Sequence, residues 1–241
     1  MRQLPPTIHE SWHKHLQPLF DDPKMDMIKE ICTKHPYFPS SENVFRVFKM
    51  PIDKIKVVIM GQDPYPKGEA IGLSFAVNEE TNVPASLRII LNELVNTVKP
   101  IPDEVTVRMR KRNLQYLVNQ GVFLLNSALT VEAGNAGSHT DYWMWFTRQV
   151  VNAISKEAKP VWLLWGSKAQ SFRGYIDNAW IMGIPEITEL PKGIEANYLL
   201  QAPHPAAESY DPNTIYKFSK CNHFNLCNKI LELKGKTQIN W

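Results

Sequence analysis

The chain is organised around residues 55–66, which read IKVVIMGQDPYP. The first six of these residues form a short, β-branched apolar run that ends at a Gly/Pro break, and this pattern predicts a buried strand. Gln62, Asp63 and Tyr65 follow directly, so an amide, a carboxylate and a phenol lie just beyond the carboxyl end of that strand. Open α/β sheets bind ligands in the crevice outside their strand ends. The stretch therefore predicts a central strand and the start of a site.

Three further apolar runs repeat the pattern of the first. They cover residues 121–126 (GVFLLN), 160–166 (PVWLLWG) and 197–201 (NYLLQ). The stretch GLSFAV at residues 72–77 predicts a further short extended segment. Helical periodicity separates or flanks the runs over residues 11–35, 87–98, 110–119, 141–157, 167–178 and 216–233. Continuous apolar strands that alternate with amphipathic helices indicate a parallel sheet covered on both faces. We expect a three-layer α/β/α sandwich around a central four-stranded, mostly parallel sheet, with residues 1–241 in a single domain.

Composition narrows the class of protein further. The chain has 241 residues, of which 44% are hydrophobic, and this is enough for a sizeable core. A formal net charge of +3 permits a polyanionic partner without requiring one. Three cysteines without a CxxC motif give no disulfide framework, and we find no signal peptide or membrane-spanning run. We expect an intracellular protein, cytoplasmic if bacterial, that has no membrane partner.

Polar residues follow every predicted strand. Asn126 and then Ser127 end the second run, Gly166 and Ser167 end the third, and His204 follows the fourth. An Asp-Pro loop alone is an ordinary turn, but four strands in a row with polar ends predict a site at one edge of the sheet.

The side chains of this set suit one kind of reaction. A buried Asp63 aligns a water and stabilises developing cationic charge, while His204, held between prolines, donates to an oxygen that becomes anionic. Asn126 offers a donor and an acceptor to the edge of a base, and Phe75 offers a face on which a planar ring stacks. Together these groups predict cleavage of a base from its sugar. Cys221, His223 and Cys227 lack a full set of four tetrahedral ligands, so we read Cys221 and His223 as packing residues and expect no metal or cofactor.

The chain resembles the family-1 uracil-DNA glycosylases from about Trp12 to Trp241. The resemblance rests on long, ordered motifs rather than on single residues. These motifs are GQDPY (61–65), GLSF (72–75), VPASL (83–87), GVFLLN (121–126) with LTV (129–131), LWGS (164–167), HP (204–205), CNHF (221–224) and INW (239–241). The resemblance implies hydrolysis of the N-glycosidic bond between uracil and deoxyribose in DNA, after the base is flipped into a pocket. Its implied partners are uracil-containing DNA, single- or double-stranded, and a DNA-mimicking protein inhibitor; we expect a monomer.

The resemblance also assigns roles to individual residues. Asp63 positions the attacking water, and the neutral imidazole of His204 donates to uracil O2. The remaining pocket roles fall on Gln62, which contacts uracil through its backbone, Tyr65, which excludes the thymine methyl group, Phe75, which stacks on the base, and Asn126, which reads N3 and O4. The expected DNA contacts are Pro84, Ser86, Gly166, Ser167, Glu208 and Ser209.

The chain departs from the family pattern at several positions. Pro66 stands where the cellular enzymes usually have His, and Ala85 replaces a usual proline. The minor-groove loop, HPSPLS in the family, reads HPAAES over residues 204–209, so Glu208 stands where an apolar wedge is usual. Either the enzyme relies on substrates that need little unstacking, or a neighbour such as Tyr210 fills the gap left by the flipped base.

Some of these residues also have a possible structural role. Ser86 and Ser167 have the sequence pattern of helix N-caps. His139 is either a family counterpart or a structural residue, and the basic run at residues 108–112 reads as a solvated helix start rather than a DNA patch. A scaffold or polymerase partner with the same fold and secondary catalysis is the alternative function.

Overall fold

The central sheet of the computed structural model, which describes residues 2–98, 112–182, 188–210 and 217–241, is fully parallel. It contains five strands, not the four that the sequence predicted. The sheet strands are β2 (Val57–Gly61), β3 (Val122–Asn126), β5 (Val161–Trp165), β6 (Ala179–Ile181) and β7 (Asn197–Ala202). Their order across the sheet is β3-β2-β5-β7-β6. A separate antiparallel pair joins β1 (Tyr37–Phe38) to β4 (Val131–Glu132).

The four strands predicted from sequence are confirmed because each is an apolar run with both faces covered. All five residues of β2, β3 and β5 are buried. The fifth strand, β6, was missed because it lies at the sheet edge and all three of its residues are exposed. An edge strand of this kind carries neither a continuous apolar run nor a strict alternation, so no local pattern reveals it.

Helices cover both faces of the sheet. They are α1 (His13–Asp21), α2 (Lys24–Lys34), α3 (Ala85–Thr97), α4 (Gln115–Val118), α5 (Thr140–Glu157), α6 (Ser167–Gln170), α7 (Ala207–Tyr210) and α8 (His223–Leu233). Successive side chains of β3 point to opposite faces, as the strand geometry requires. Phe123 stacks on Trp12 with ring centroids 5.5 Å apart, whereas Leu124 lies with Ile90 and Phe224 on the other side.

Several predicted helix bounds are wrong for identifiable reasons. The single helix expected over residues 11–35 is interrupted at Asp22, which is extended with ψ 135° because Pro23 disfavours a helical conformation in the residue before it. The segment over residues 72–77 is not extended, because Phe75 adopts a positive φ of 62°. The helix expected over 167–178 is the short α6 followed by a 3₁₀ turn, Ser171–Tyr175. The helices expected over 110–119 and 216–233 begin only at Gln115 and His223, because the residues before them, Leu114 and Asn222, have positive φ. Residues 108–111 of the basic run and residue 216 lie outside the described residues.

The sheet brings the ends of its strands to one edge. Gly61 is the Cα register partner of Asn126, and Trp165 is the partner of Ala202. The chain leaves β2 for β3 on one side and reaches β5 on the other, so β2 and β5 form the point where the strand order reverses. Such a switch point opens a crevice at the carboxyl ends of the strands. The loops that carry the predicted polar residues therefore leave the sheet side by side.

His223 links the fold to pH, since it is fully buried at the start of α8. Its Nδ1 accepts a hydrogen bond from Trp165 Nε1 at 3.0 Å, and its Nε2 finds no partner among the described residues. Burial lowers the pKa of His223 from 6.5 to about 4. The folded state therefore resists protonation that the unfolded chain accepts, and stability is lost as the pH falls from about 6.5 to about 4.

We expect this single group to remove about 3 kcal/mol of stability across that pH window. Urea unfolding at pH 7.5, 6, 5 and 4 measures the loss. His223→Asn retains an acceptor for Trp165 and is expected to flatten the pH dependence, whereas His35→Asn at an exposed site is the control. An unchanged slope in His223→Asn would assign the acid sensitivity to other groups.

Candidate active site

The loops after the strands enclose a cavity of about 230 Å³. Its walls contain all six residues that the sequence analysis placed around the base: Gln62, Asp63, Tyr65, Phe75, Asn126 and His204. Pro66, Ser86, Ala136 and Gly61 complete much of the lining. A cleft of about 460 Å³ at residues 49–56 and 115–121 contains none of the predicted site residues. The sheet edge chosen from sequence is thus where these side chains meet.

The loop after β2 is fixed by the end of β3. The carbonyl of Gly61 accepts a hydrogen bond from the Ser127 N–H at 3.0 Å, and the carbonyl of Gln62 accepts one from the Ala128 N–H at 2.9 Å. The Ser127 hydroxyl also donates to the Gln62 carbonyl at 2.5 Å. These three bonds hold the backbone of Gly61 and Gln62, directly before Asp63, without using their side chains.

Asp63 is held by a backbone donor from a distant loop. The N–H of Gly137 donates to Asp63 Oδ2 at 2.6 Å. Burial raises the pKa of this carboxyl above its usual range, while the bond from Gly137 opposes the shift. Asp63 also lines the cavity, so its carboxylate is placed where it can align a water. Sequence reasoning missed Gly137, which shows only as one of two glycines in GNAGSH at residues 134–139.

His204 is held in one tautomer. Its Nδ1 accepts a hydrogen bond from the backbone N–H of Ala206 at 3.1 Å, so the proton of the neutral ring resides on Nε2. Burial lowers the pKa of His204, which favours this neutral form. The ring therefore offers an N–H donor at Nε2 without carrying a full charge.

Gly166 permits the approach of the His204 loop. It adopts a φ of +88°, and a Cβ at this position would lie 2.8 Å from His204 Cβ. A side chain here would therefore displace the imidazole. Its N–H donates to the Ala202 carbonyl at 2.9 Å, which joins the end of β5 to the end of β7.

Phe75 and Asn126 form the aromatic and amide parts of the pocket. Phe75 is only 8% exposed, and its ring centroid lies 5.8 Å from that of Trp165 and 6.2 Å from that of His204. Asn126 is 6% exposed at the end of β3. The positive φ of Phe75 turns the ring towards the cavity instead of along a strand.

Tyr65 and Ser86 are joined by a hydrogen bond of 2.8 Å between their hydroxyl oxygens. Burial raises the pKa of Tyr65 to about 12, and the bond to Ser86 opposes the shift. The prediction that Ser86 and Ser167 cap helices is wrong. Pro84 precedes α3 and Gly166 precedes α6, and neither helix start has a side-chain cap.

The loop after His204 is arranged differently from the expected wedge. The carboxylate of Glu208 accepts hydrogen bonds from the Ser219 N–H at 2.6 Å and from the Ser219 hydroxyl at 2.7 Å. Tyr210, two residues further along α7, is 88% exposed. The backbone of Ser209 belongs to the same helix, and its side chain lies outside the described part of the structure.

His139 belongs to the support of the site rather than to its lining. Its Nδ1 and the Thr130 hydroxyl are 2.9 Å apart, and Trp143 Nε1 donates to the same hydroxyl at 2.7 Å. Cys221 and His223 are buried, as expected of packing residues. Arg112, the last residue of the basic run, donates to the carbonyl of Thr81.

The groups around this cavity have the chemistry that release of a base from its sugar requires, which places the protein among the N-glycosidic hydrolases if its relatives agree. Residues 48–232 match the model of the uracil DNA glycosylase superfamily. The chain therefore belongs to the uracil-DNA glycosylase superfamily, as the motifs predicted.

Individual relatives support the same conclusion. "Uracil-DNA glycosylase 1" of Bacteroides fragilis strain YCH46 is 35% identical over 243 residues, which cover 97% of this chain and 98% of the relative. The crystal structure of mimivirus uracil-DNA glycosylase superposes with a TM-score of 0.78 at 25% identity, covering 98% of this chain and 87% of that one. A Y322F variant of the mimivirus protein, crystallised in complex with UGI, gives a TM-score of 0.79 at 24% identity and covers 100% of this chain and 91% of its own.

The activity of the chain is excision of uracil from DNA in repair. In the part of the chain that the structure describes, no helix has the length and apolar character needed to cross a membrane.

Proposed function

We propose that Asp63 and His204 carry the hydrolysis of the N-glycosidic bond between uracil and deoxyribose. As the bond breaks, the sugar gains oxocarbenium character and the uracil gains negative charge. Asp63 stabilises the sugar and orients the water that attacks it, and His204 donates from Nε2 to uracil O2. The products are free uracil and an abasic site.

The hydrogen bond from Ala206 to His204 is the observation that carries this proposal. It leaves Nε2–H as the donor, and burial keeps the ring neutral. A neutral donor stabilises an anion that forms only in the transition state, and so it contributes to the rate more than to ground-state binding. The buried Asp63 completes the pair of groups that the two developing charges require.

The other pocket residues are proposed to select the base. Phe75 stacks on the ring, Asn126 hydrogen-bonds N3 and O4, and the Gln62 backbone contacts a further edge. Tyr65 occupies the space next to C5 and excludes the methyl group of thymine. A cavity of about 230 Å³ supports the binding of a single pyrimidine, and selection by such edges is worth about 1–3 kcal/mol per good bidentate pair.

DNA binding is proposed to use the starts of α3 and α6 and the loop at α7. The residues are Pro84, Ser86, Gly166, Ser167, Glu208 and Ser209. Backbone N–H groups at helix starts and hydroxyls suit phosphates, and they provide contacts that a net charge of only +3 does not. Glu208 takes part by tying α7 to Ser219 rather than by touching DNA.

The proposal extends to the state of the protein and its partners. One contiguous hydrophobic core among the described residues supports a single domain over residues 1–241. We expect this domain to act as a monomer. Uracil-containing DNA is the substrate, and a protein inhibitor that mimics DNA is the second partner. Such an inhibitor would present acidic groups to the donors that bind phosphate. One cavity is lined by Asp63, Tyr65, Asn126 and His204. A protein that served only as a scaffold would not need this set, so its presence favours catalysis over the scaffold alternative.

Incubation with uracil-containing oligonucleotides, single- and double-stranded, tests the function. We expect free uracil and alkali-labile sites in both, with the same yield when EDTA is present. Thymine oligonucleotides of the same sequence are the control. Loss of activity in EDTA with the fold intact, or binding without uracil release, would overturn the proposed mechanism.

A separate prediction concerns how duplex DNA is opened. Because the carboxylate of Glu208 is occupied by Ser219, the exposed Tyr210 is proposed to fill the gap left by the flipped base. Stacking of an aromatic side chain on a base is worth about 1–3 kcal/mol, so Tyr210→Ala is expected to lower the duplex rate about tenfold more than the single-strand rate. Steady-state rates on matched duplex and single-stranded oligonucleotides measure this difference.

Two further variants sharpen the same test. Tyr175→Ala removes a tyrosine that is 36% exposed, ends the 3₁₀ turn Ser171–Tyr175 and does not line the cavity, and is the control. Glu208→Leu supplies an apolar side chain but removes both bonds to Ser219, so it is expected to lower the duplex rate. A higher duplex rate in Glu208→Leu, with no effect of Tyr210→Ala, would contradict the proposed role of this loop.

A further inference from the structure

The bond between Tyr65 and Ser86 joins two residues that have separate expected tasks. Tyr65 is expected to form the pocket wall, and Ser86 is expected to bind a DNA phosphate. Their hydroxyl oxygens lie 2.8 Å apart, although they are 21 residues apart in the chain. Both side chains line the same cavity.

We propose that Ser86 is a positioning residue for base selection, which holds the Tyr65 ring in place through this hydrogen bond. The inference rests on the proposed function of Tyr65 as the wall next to uracil C5. Without the bond, the phenol hydroxyl is a partly buried polar group with no described partner, and the ring gains freedom to move away from the base. Tyr65 would then exclude a 5-methyl group less well, because the position of its ring would be less well defined.

The start of α3 makes Ser86 suitable for this role. Pro84 enters the helix in an extended conformation with φ −60° and ψ 154°, and Ala85 is the first helical residue. Ser86 therefore lies on a rigid helical backbone and is itself only 8% exposed. Its hydroxyl is not used to cap the helix, so it is available to Tyr65.

The Ser86 hydroxyl can both hold Tyr65 and bind a phosphate if Tyr65 is the donor in the hydrogen bond between them. When Tyr65 donates its proton to Ser86 Oγ, the Ser86 proton remains for a phosphate oxygen. A donor that also accepts is polarised by its first bond, which strengthens its second. DNA binding at Ser86 would thus tighten the bond that fixes the pocket wall, and phosphate contact would be coupled to base selection.

The test compares Ser86→Ala with Ser167→Ala, because both serines are expected to bind phosphate and only Ser86 contacts Tyr65. Single-stranded oligonucleotides carrying uracil, 5-fluorouracil, 5-bromouracil or thymine give kcat/KM for a series of rising size at C5. Inhibition by free uracil and free thymine gives the same selectivity without DNA. Both variants are expected to raise KM for DNA.

Only Ser86→Ala is expected to change the discrimination between bases. Loss of one hydrogen bond should lower the preference for uracil over the 5-substituted bases about fivefold, while Ser167→Ala retains it. Tyr65→Phe removes the other half of the bond and is expected to lower the preference by the same factor. The double variant should be no less selective than either single variant, because both remove the same interaction.

The outcomes separate this inference from the proposed function. Equal base preference in Ser86→Ala and Ser167→Ala, or additive losses in the double variant, would overturn the role of Ser86 while uracil release continues. Absence of uracil release by the unaltered chain would instead overturn the proposed function. Circular dichroism of each variant checks that the fold is kept.

Discussion

Asp63→Asn is expected to lower the rate of uracil release by about 10²–10⁴-fold, the range for loss of a positioned acid–base group. The amide oxygen can still accept the hydrogen bond from Gly137, so the loop geometry is retained. What is lost is the negative charge next to the developing sugar cation. Single-turnover rates on a uracil oligonucleotide measure the change, and fluorescence anisotropy is expected to show nearly unchanged DNA binding.

Asp63→Asn is also expected to change the pH dependence of the activity and the stability of the fold. Burial raises the pKa of Asp63, so activity should fall with acidification above the ordinary carboxyl range. Between the unfolded and the raised folded pKa, the folded state binds more protons, and stability therefore decreases as the pH rises through that interval. Removing the charge should make Asp63→Asn more stable than the unaltered chain at pH 7.

An exposed carboxylate provides the control for this result. Asp53→Asn removes the same charge from a surface side chain that pairs with Lys54. We expect Asp53→Asn to change neither the rate nor its pH dependence. A near-normal rate in Asp63→Asn would mean that another group activates the water.

Local sequence pattern was sufficient for the core of the fold and for the types of residues in the site. The strands β2, β3, β5 and β7 were predicted because each is a buried apolar run that ends in polar residues. The exposed β6 was not, since an edge strand carries no such pattern. The extended conformation predicted for Phe75 was also wrong. Its positive φ belongs to the loop around the cavity and does not follow from the propensity of the residue.

The contacts that tune the site could not be predicted, because they join distant segments. Asp63 receives its hydrogen bond from a residue 74 positions away. Glu208 lies where an apolar wedge was expected, and only the position of Ser219, 11 residues on, explains why a carboxylate is stable there. The bond between Tyr65 and Ser86 replaces a predicted helix cap, although the residue type alone favoured the cap. Residue identity indicates which chemistry is available, whereas the partner of each group depends on the packing of the whole chain.

Gly61→Ala is the second substitution expected to have a large effect, and its reason is steric. A Cβ on Gly61 would lie 2.3 Å from Asn126 Oδ1 and 2.9 Å from Ser74 Cβ. Ser74 is fully buried and donates to the Ile59 carbonyl, so it has little room to move. The Asn126 amide must therefore move by about 1 Å, a displacement that costs about 100-fold when it affects a positioned group.

We expect Gly61→Ala to lower kcat and the affinity for free uracil, with a much smaller effect on KM for DNA. The proposed phosphate contacts lie on other loops, so we expect DNA binding not to require the Asn126 geometry. Overpacking of this kind also costs about 1–3 kcal/mol of stability, which urea unfolding will detect. Gly174→Ala is the matched control, since a Cβ there meets no described atom within 4 Å. If Gly61→Ala releases uracil at the normal rate with unchanged base preference, then Asn126 is not the residue that reads the base. The amide would in that case serve the end of β3, and the reading of uracil would fall to the backbone at Gln62.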